Sequence, residues 1–176
     1  DTPEIPNYLP CSIGNLECCI LLIRAMYIAR FETKDDIQFE KIEALLRKVL
    51  ECSSDWAVRR TALFLRSINE MNKNTIRAAN QLQSLYHESA VPKDAPNENI
   101  WLVSLPSSYE IGYCLGNILT SIGNLAPAAD IFSRTGFLEK AAYCLLGIGK
   151  KADAEKLVIE GLEEQPDNYS LQCLLG

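Results

Sequence analysis

Seven cysteines, one histidine and two pairs of adjacent carboxylates are the residues of this chain whose types could do chemistry. The cysteines stand at 11, 18, 19, 52, 114, 144 and 173, an odd number, and most fall inside apolar helical patterns. That placement speaks against a secreted disulfide scaffold and for a reduced intracellular setting, cytoplasmic, nuclear or both. A zinc site is not expected: there is no Cys-x-x-Cys, and the adjacent Cys18 and Cys19 should point to different sides of a helix. His87, the single histidine, lies in "SLYHESA" near a helix end, so a Ser-His-Asp arrangement would need partners from a surface loop. Asp35-Asp36 and Glu163-Glu164 read as solvated turns, the first pair favouring the positive start of a helix. The sequence has no Gly-rich phosphate loop and no His-Glu-x-x-His. These readings point away from an enzyme, and no metal or cofactor is expected.

Charge divides the chain unevenly. Residues 1–77 carry 11 Lys/Arg and 11 Asp/Glu, whereas residues 78–176 carry 6 and 12, so the whole net charge of −6 lies in the second half. No Lys or Arg occurs from Asp94 to Ser133. A phosphate backbone requires a basic stripe, and none is visible, so nucleic acid is not an expected partner. The longest apolar run, "CCILLIRAMYIA" from Cys18 to Ala29, is interrupted by Arg24 and too short to span a bilayer. It reads as a core helix, and no membrane partner is expected. The chain starts at Asp1 and stops within an apolar pattern, which reads as a fragment of something longer.

Apolar content of 48% predicts a folded domain, and helical periodicity runs through nearly all of it. Helices are expected over about 15–30, 37–51, 56–71, 75–89, 107–122, 125–134, 137–148 and 151–164, with a last one from about 169. Ile37, Ile42, Leu45, Leu46 and Val49 should form the inner stripe of the second helix, and Ile76, Ala79, Leu82 and Leu85 or Tyr86 that of the fourth. Asp55 and Ser107 or Ser108 are available as N-caps. A Pro-rich lead-in occupies residues 1–11, and "AVPKDAPNENIW" is the strongest interruption. The expected organisation is helical hairpins over 1–90, a linker over 91–104 and repeats over 105–176, the last one truncated. The fold class is all-α: antiparallel helix hairpins stacked as a right-handed α-solenoid.

The second half resembles tetratricopeptide units, helix hairpins of about 34 residues with Leu-Gly on the first helix and Ala-x-x-x-Phe on the second. Leu115-Gly116, Gly123 in the turn and Ala128-x-x-x-Phe132 fit that order. A second unit shows Gly149, Ala154-x-x-x-Val158 and Pro166, and Leu175-Gly176 opens a third. Gly123 to Gly149 and Ala128 to Ala154 are each 26 residues, so one unit is shortened. The repeated "CLLG" at 144–147 and 173–176 is a false register. The counterpart of the final copy is "CLG" at 114–116.

Two longer stretches carry the resemblance further: "DWAVRRTALFLRSINEMNKNTIRAANQLQSL", Asp55–Leu85, and the run from "SYEIGYCLGNILTSIGNL" at Ser108 to the final "CLLG". They resemble the middle of the tetratricopeptide repeat protein 27 family, a eukaryotic family with a fungal counterpart tied to cell-wall integrity. The likeness covers 55–176 and, more loosely, 12–54; "SLQC" stands where the family has Leu-Tyr-Cys. The resemblance implies a non-enzymatic scaffold, an adaptor or co-chaperone-like factor in the assembly of large protein complexes, with links to spliceosomal particle maturation.

In stacked hairpins the first helix of each pair lines the concave face. That face would offer Glu110, Tyr113, Asn117, Thr120, Ser121, Glu139 and Tyr143 to a protein partner. The competing expectation is a structural spacer, with Tyr113 and Tyr143 merely packed between repeats. Gly116-Asn117 resembles part of the carboxylate clamp that holds chaperone C-termini, but Tyr113 stands in place of its first lysine and Glu139 would repel a carboxylate. No such clamp is therefore expected. Leu171, Leu174 and Leu175 have no following helix, which predicts fraying or self-association through the last segment.

Overall fold

The computed structural model describes residues 13–88 and 100–175. The lead-in over 1–11 and most of the expected linker over 91–104 lie outside the described residues. The described elements are helices: α1 (Asn15–Phe31), α2 (Asp36–Cys52), α3 (Trp56–Glu70), α4 (Thr75–His87), α5 (Ser108–Ile122), α6 (Leu125–Arg134), α7 (Leu138–Gly147), α8 (Lys151–Glu164) and α9 (Tyr169–Leu175). Each neighbouring pair from α4 to α9 is in contact, α9 also meets α7, and α1 meets α2. The architecture is the expected all-α array of sequential helix hairpins.

Two compact units divide the described chain, and the division falls inside α3, between Ala62 and Leu63. The first holds α1, α2, the start of α3 and the segment that ends at Leu105. Its core is made of Cys18, Cys19, Leu22, Ala25 and Ile28 on α1 with Ile42, Leu46 and Val49 on α2. Side chains close its helix ends. The Gln38 amide donates to the Ile28 and Glu32 carbonyls at 2.8 and 3.1 Å, tying the end of α1 to the start of α2. Asp35 caps α2 through Gln38 N, and Asp55 caps α3 through Ala57 N and Val58 N. Arg59 donates to the Leu50 and Ser53 carbonyls at the end of α2.

Three expectations for these helices are corrected. Ile37 and Ile76 are exposed because the buried face is phased otherwise: Gln38, Ile42, Leu46 and Val49 face inward on α2, and Ala78, Ala79, Leu82 and Leu85 on α4. Cys18 and Cys19 are both buried, because the 100° step between neighbours still fits within a broad buried face. That burial pushes both thiols above their ordinary value. Only one side of α1 is core: Leu16, Ile20, Ile23, Tyr27 and Phe31 form an exposed stripe at helical spacing.

The second unit closes its helices differently. Gly123, Gly136 and Gly149 adopt φ of 87°, 81° and 86°, the left-handed conformation that glycine enters without a Cβ penalty. After each, an amide reaches back five residues: Asn124 to Leu119, Phe137 to Phe132 and Lys150 to Leu145. These backbone bonds satisfy carbonyls at the helix end, and at the end of α6 the Thr135 hydroxyl adds a bond to Ile131 O and Phe132 O. The next helix starts at once, and Asn124, Phe137 and Lys150 make no side-chain cap bond.

The three glycines stand 13 residues apart, as do Ala128, Ala141 and Ala154, and then Phe132, Leu145 and Val158. Each 26-residue shortened unit is thus two equal half-units, a 10-residue helix and a three-residue turn in the case of α6 and α7. The alanines are buried at the helix contacts. A Cβ at Gly116 would lie 2.5 Å from the Phe132 ring, so α5 admits that ring only because the position is bare. Leu171 on α9 is not left without a partner. It is buried in a cluster with Ala142 and Val158, while Leu175 is exposed.

Candidate functional site

Side chains of α5 and α7 meet over the ring of Phe132, which α6 holds against Gly116. Asn117, Thr120, Leu125, Phe132, Lys140, Tyr143 and Cys144 line a pocket of about 210 Å³. α5 positions Asn117 and Thr120 one turn apart, and the capping box of Ser107 and Glu110 sets where α5 begins. The turn at Gly136 sets where α7 begins, and burial of Ala141, Ala142 and Cys144 sets its rotation. Lys140 and Tyr143 then face α5.

Lys140 joins the two helices. Its ammonium donates to Asn117 Oδ1 at 3.1 Å and lies 5.0 Å from the centre of the Tyr113 ring and 5.7 Å from that of Phe132. Beside it the rings of Tyr109 and Tyr113 both pack on Phe137, with centroids 4.4 and 4.7 Å apart. Tyr113 remains 36% exposed and Tyr143 57% exposed, so both present ring and hydroxyl to solvent. Thr120 Oγ1 donates to the Gly116 carbonyl and sits 3.6 Å from Cys144 Sγ. Burial, and secondarily the charge of Glu110, pushes the nearby Cys114 thiol up.

Of the residues singled out in the sequence, Asn117, Thr120 and Tyr143 come together in this pocket, and Tyr113 borders it through Lys140. Glu110 is spent on the cap of α5, and Ser121 donates back to the Ile118 carbonyl. Glu139 lies outside this pocket and lines a neighbouring depression with Leu138, Lys140, Gln165 and Asn168. Lys140 is the residue that sequence reasoning missed. The 13-residue spacing of Gly123, Gly136 and Gly149 signals where α7 begins, but its rotation is set by burial of Ala141, Ala142 and Cys144.

Among the described residues, no group of three or more His, Cys, Asp or Glu is placed to hold a metal ion. No described helix is long and apolar enough to cross a membrane. Arrangement and repeat together define a helical-repeat protein of the tetratricopeptide type. The chain is similar to the tetratricopeptide repeat protein 27 homolog of Dictyostelium discoideum, 26% identical over 169 residues, or 93% of this chain and 20% of the relative. It is also similar to "Essential for maintenance of the cell wall protein 1" of Saccharomyces cerevisiae, 27% identical over 190 residues, or 97% of this chain and 21% of the relative. These likenesses support the resemblance to the tetratricopeptide repeat protein 27 family and extend over the first helices as well. It spans about a fifth of the length of both relatives. No family model matches it, and no solved structure does.

Proposed function

We propose that this chain is a protein-interaction segment of a non-enzymatic scaffold, and that the groove between α5 and α7 receives an extended stretch of a protein partner. The observation that carries the reading is the exposure of Tyr143, which lines a pocket with the Phe132 ring, and of Tyr113, which borders that pocket through Lys140. Amphipathic rings that are rigid yet open to water suit peptide recognition, since they add contact area at little cost in side-chain entropy. Asn117 adds an amide that can read a peptide backbone. The relatives' repeat architecture supports a role in holding proteins together, and the family resemblance supports an adaptor or co-chaperone-like role in complex assembly.

The test compares full-length protein, wild type beside Tyr113→Glu/Asn117→Ala/Tyr143→Glu, purified from cells with its partners. Circular dichroism of both forms checks that the fold is kept. Loss of a defined partner set from the folded variant is the expected result. An unchanged set would make this segment a spacer that orients its neighbouring repeats.

A further inference from the structure

The charge of the groove narrows what can occupy it. Of the residues that line the pocket, only Lys140 is charged. Lys41, Arg77, Lys150 and Lys156 each reach a carboxylate, whereas Lys140 makes no ion pair among the described residues. Its ammonium is partly buried and is held by the Asn117 amide oxygen and two ring faces. An ammonium has three donors. The amide takes one, and ring faces attract the charge without supplying a lone pair. Two N–H groups are therefore left for an acceptor from outside.

Glu139, expected to repel a carboxylate, lines a neighbouring depression together with Lys140 but makes no ion pair with it among the described residues. Glu110 receives bonds from Ser107 N and Ser107 Oγ at 2.9 and 3.0 Å. Beneath the ammonium the pocket is apolar, formed by Leu125, Phe132 and Cys144. The Tyr113 ring lies 5.0 Å from the ammonium and packs with Tyr109 on Phe137, and Tyr143 lines the pocket beside it.

We infer that the groove selects a peptide segment that places an internal Asp or Glu side chain on Lys140 and an adjacent apolar side chain over Phe132. This rests on the reading of the groove as a peptide site and adds the chemistry of the peptide. The ion pair forms over a low-dielectric floor, where it is worth more than on an open surface, and it weakens as salt is added.

The experiment titrates isotope-labelled 176-residue chain with short end-blocked peptides in which a central Leu is followed by Asp, Asn or Lys, the other positions being randomised. One further library carries Asn and a free C-terminal carboxylate. The expected result is movement of the amides of Tyr113, Asn117, Lys140 and Tyr143 with the Asp library, at about tenfold higher affinity than with Asn. Binding should be lost in Lys140→Met and kept in Lys140→Arg, with unchanged circular dichroism. Equal binding of Asp and Asn peptides at these residues would overturn the charge selection and leave the peptide groove standing. Preference for Lys, or for the free C-terminus alone, would also overturn it. If no library moves these amides, both the selection and the groove reading fail.

Discussion

The two units of this chain solve the same problem, the unpaired backbone groups at helix ends, with different chemistry. In α1 to α3, side chains do it: the Gln38 amide bridges two carbonyls, Asp35 and Asp55 accept from first-turn amides, and Arg59 covers the end of α2. At the three turns between α5 and α8 the backbone does most of it, through left-handed glycines and amides that reach back five residues, although side chains of Ser107 and Glu110 cap the start of α5. The first solution tolerates longer helices, of 17 residues in α1 and α2. The second permits helices as short as the 10 residues of α6 and α7 in tight succession, with small residues at the contacts. A side-chain cap costs ordering entropy at each end, whereas a glycine turn needs only the absence of a Cβ. Short turns repeated at a fixed interval bring α7 back alongside α5, and the candidate groove depends on that return.

The comparison can be broken most severely at the contact that the small residues permit. Phe132→Ala should cost about 3–5 kcal/mol by urea denaturation, since the ring is buried and its loss leaves a cavity against Gly116. Gln38→Ala tests the first solution and should cost about 1–3 kcal/mol by leaving the Ile28 and Glu32 carbonyls short of a donor. Asp55→Ala should cost about 0.5–2 kcal/mol, the loss of a cap that serves two amides.

Gly136→Ala sharpens the contrast. Nothing lies near an added Cβ there, so the penalty should be the left-handed backbone alone, about 1–2 kcal/mol. Amide exchange should then quicken in α6 and α7 and stay unchanged in α1 and α2; uniform quickening would mean that the turns are not local devices. The smallest effect concerns pH. Cys18, Cys19 and Cys114 are raised above their ordinary value of 9.0 by burial, so the folded chain holds protons that the unfolded chain releases. Stability should be level below that pH and fall as pH rises beyond it. A denaturation midpoint that holds steady through the alkaline range would contradict this.

Much of the fold was legible in the sequence. Apolar spacing located the helices to within a residue or two at most ends, and Asp55 and Ser107 announced their caps, because these signals are local. Ile37 and Ile76 were misjudged because the buried face in each first turn is held by other residues, the polar Gln38 in α2 and the small Ala78 in α4, which an apolar pattern passes over. The exposed stripe on α1 was missed for a related reason: a helix apolar on most faces gives periodicity no contrast from which to choose the buried one.

The candidate groove shows where the division lies. Sequence alone determined that Tyr113, Asn117, Thr120 and Tyr143 are polar or amphipathic residues on first helices, since type and spacing decide that. It did not decide between Glu139 and Lys140, because neighbouring residues on a helix differ by 100° and both are compatible with the pattern of α7. Packing made the choice. Ala141, Ala142 and Cys144 turn inward together, and that rotation carries Lys140 to Asn117 and takes Glu139 away from the pocket. Which charge stands in a groove is a property of helix phase, and phase is set by contacts with the neighbouring helices.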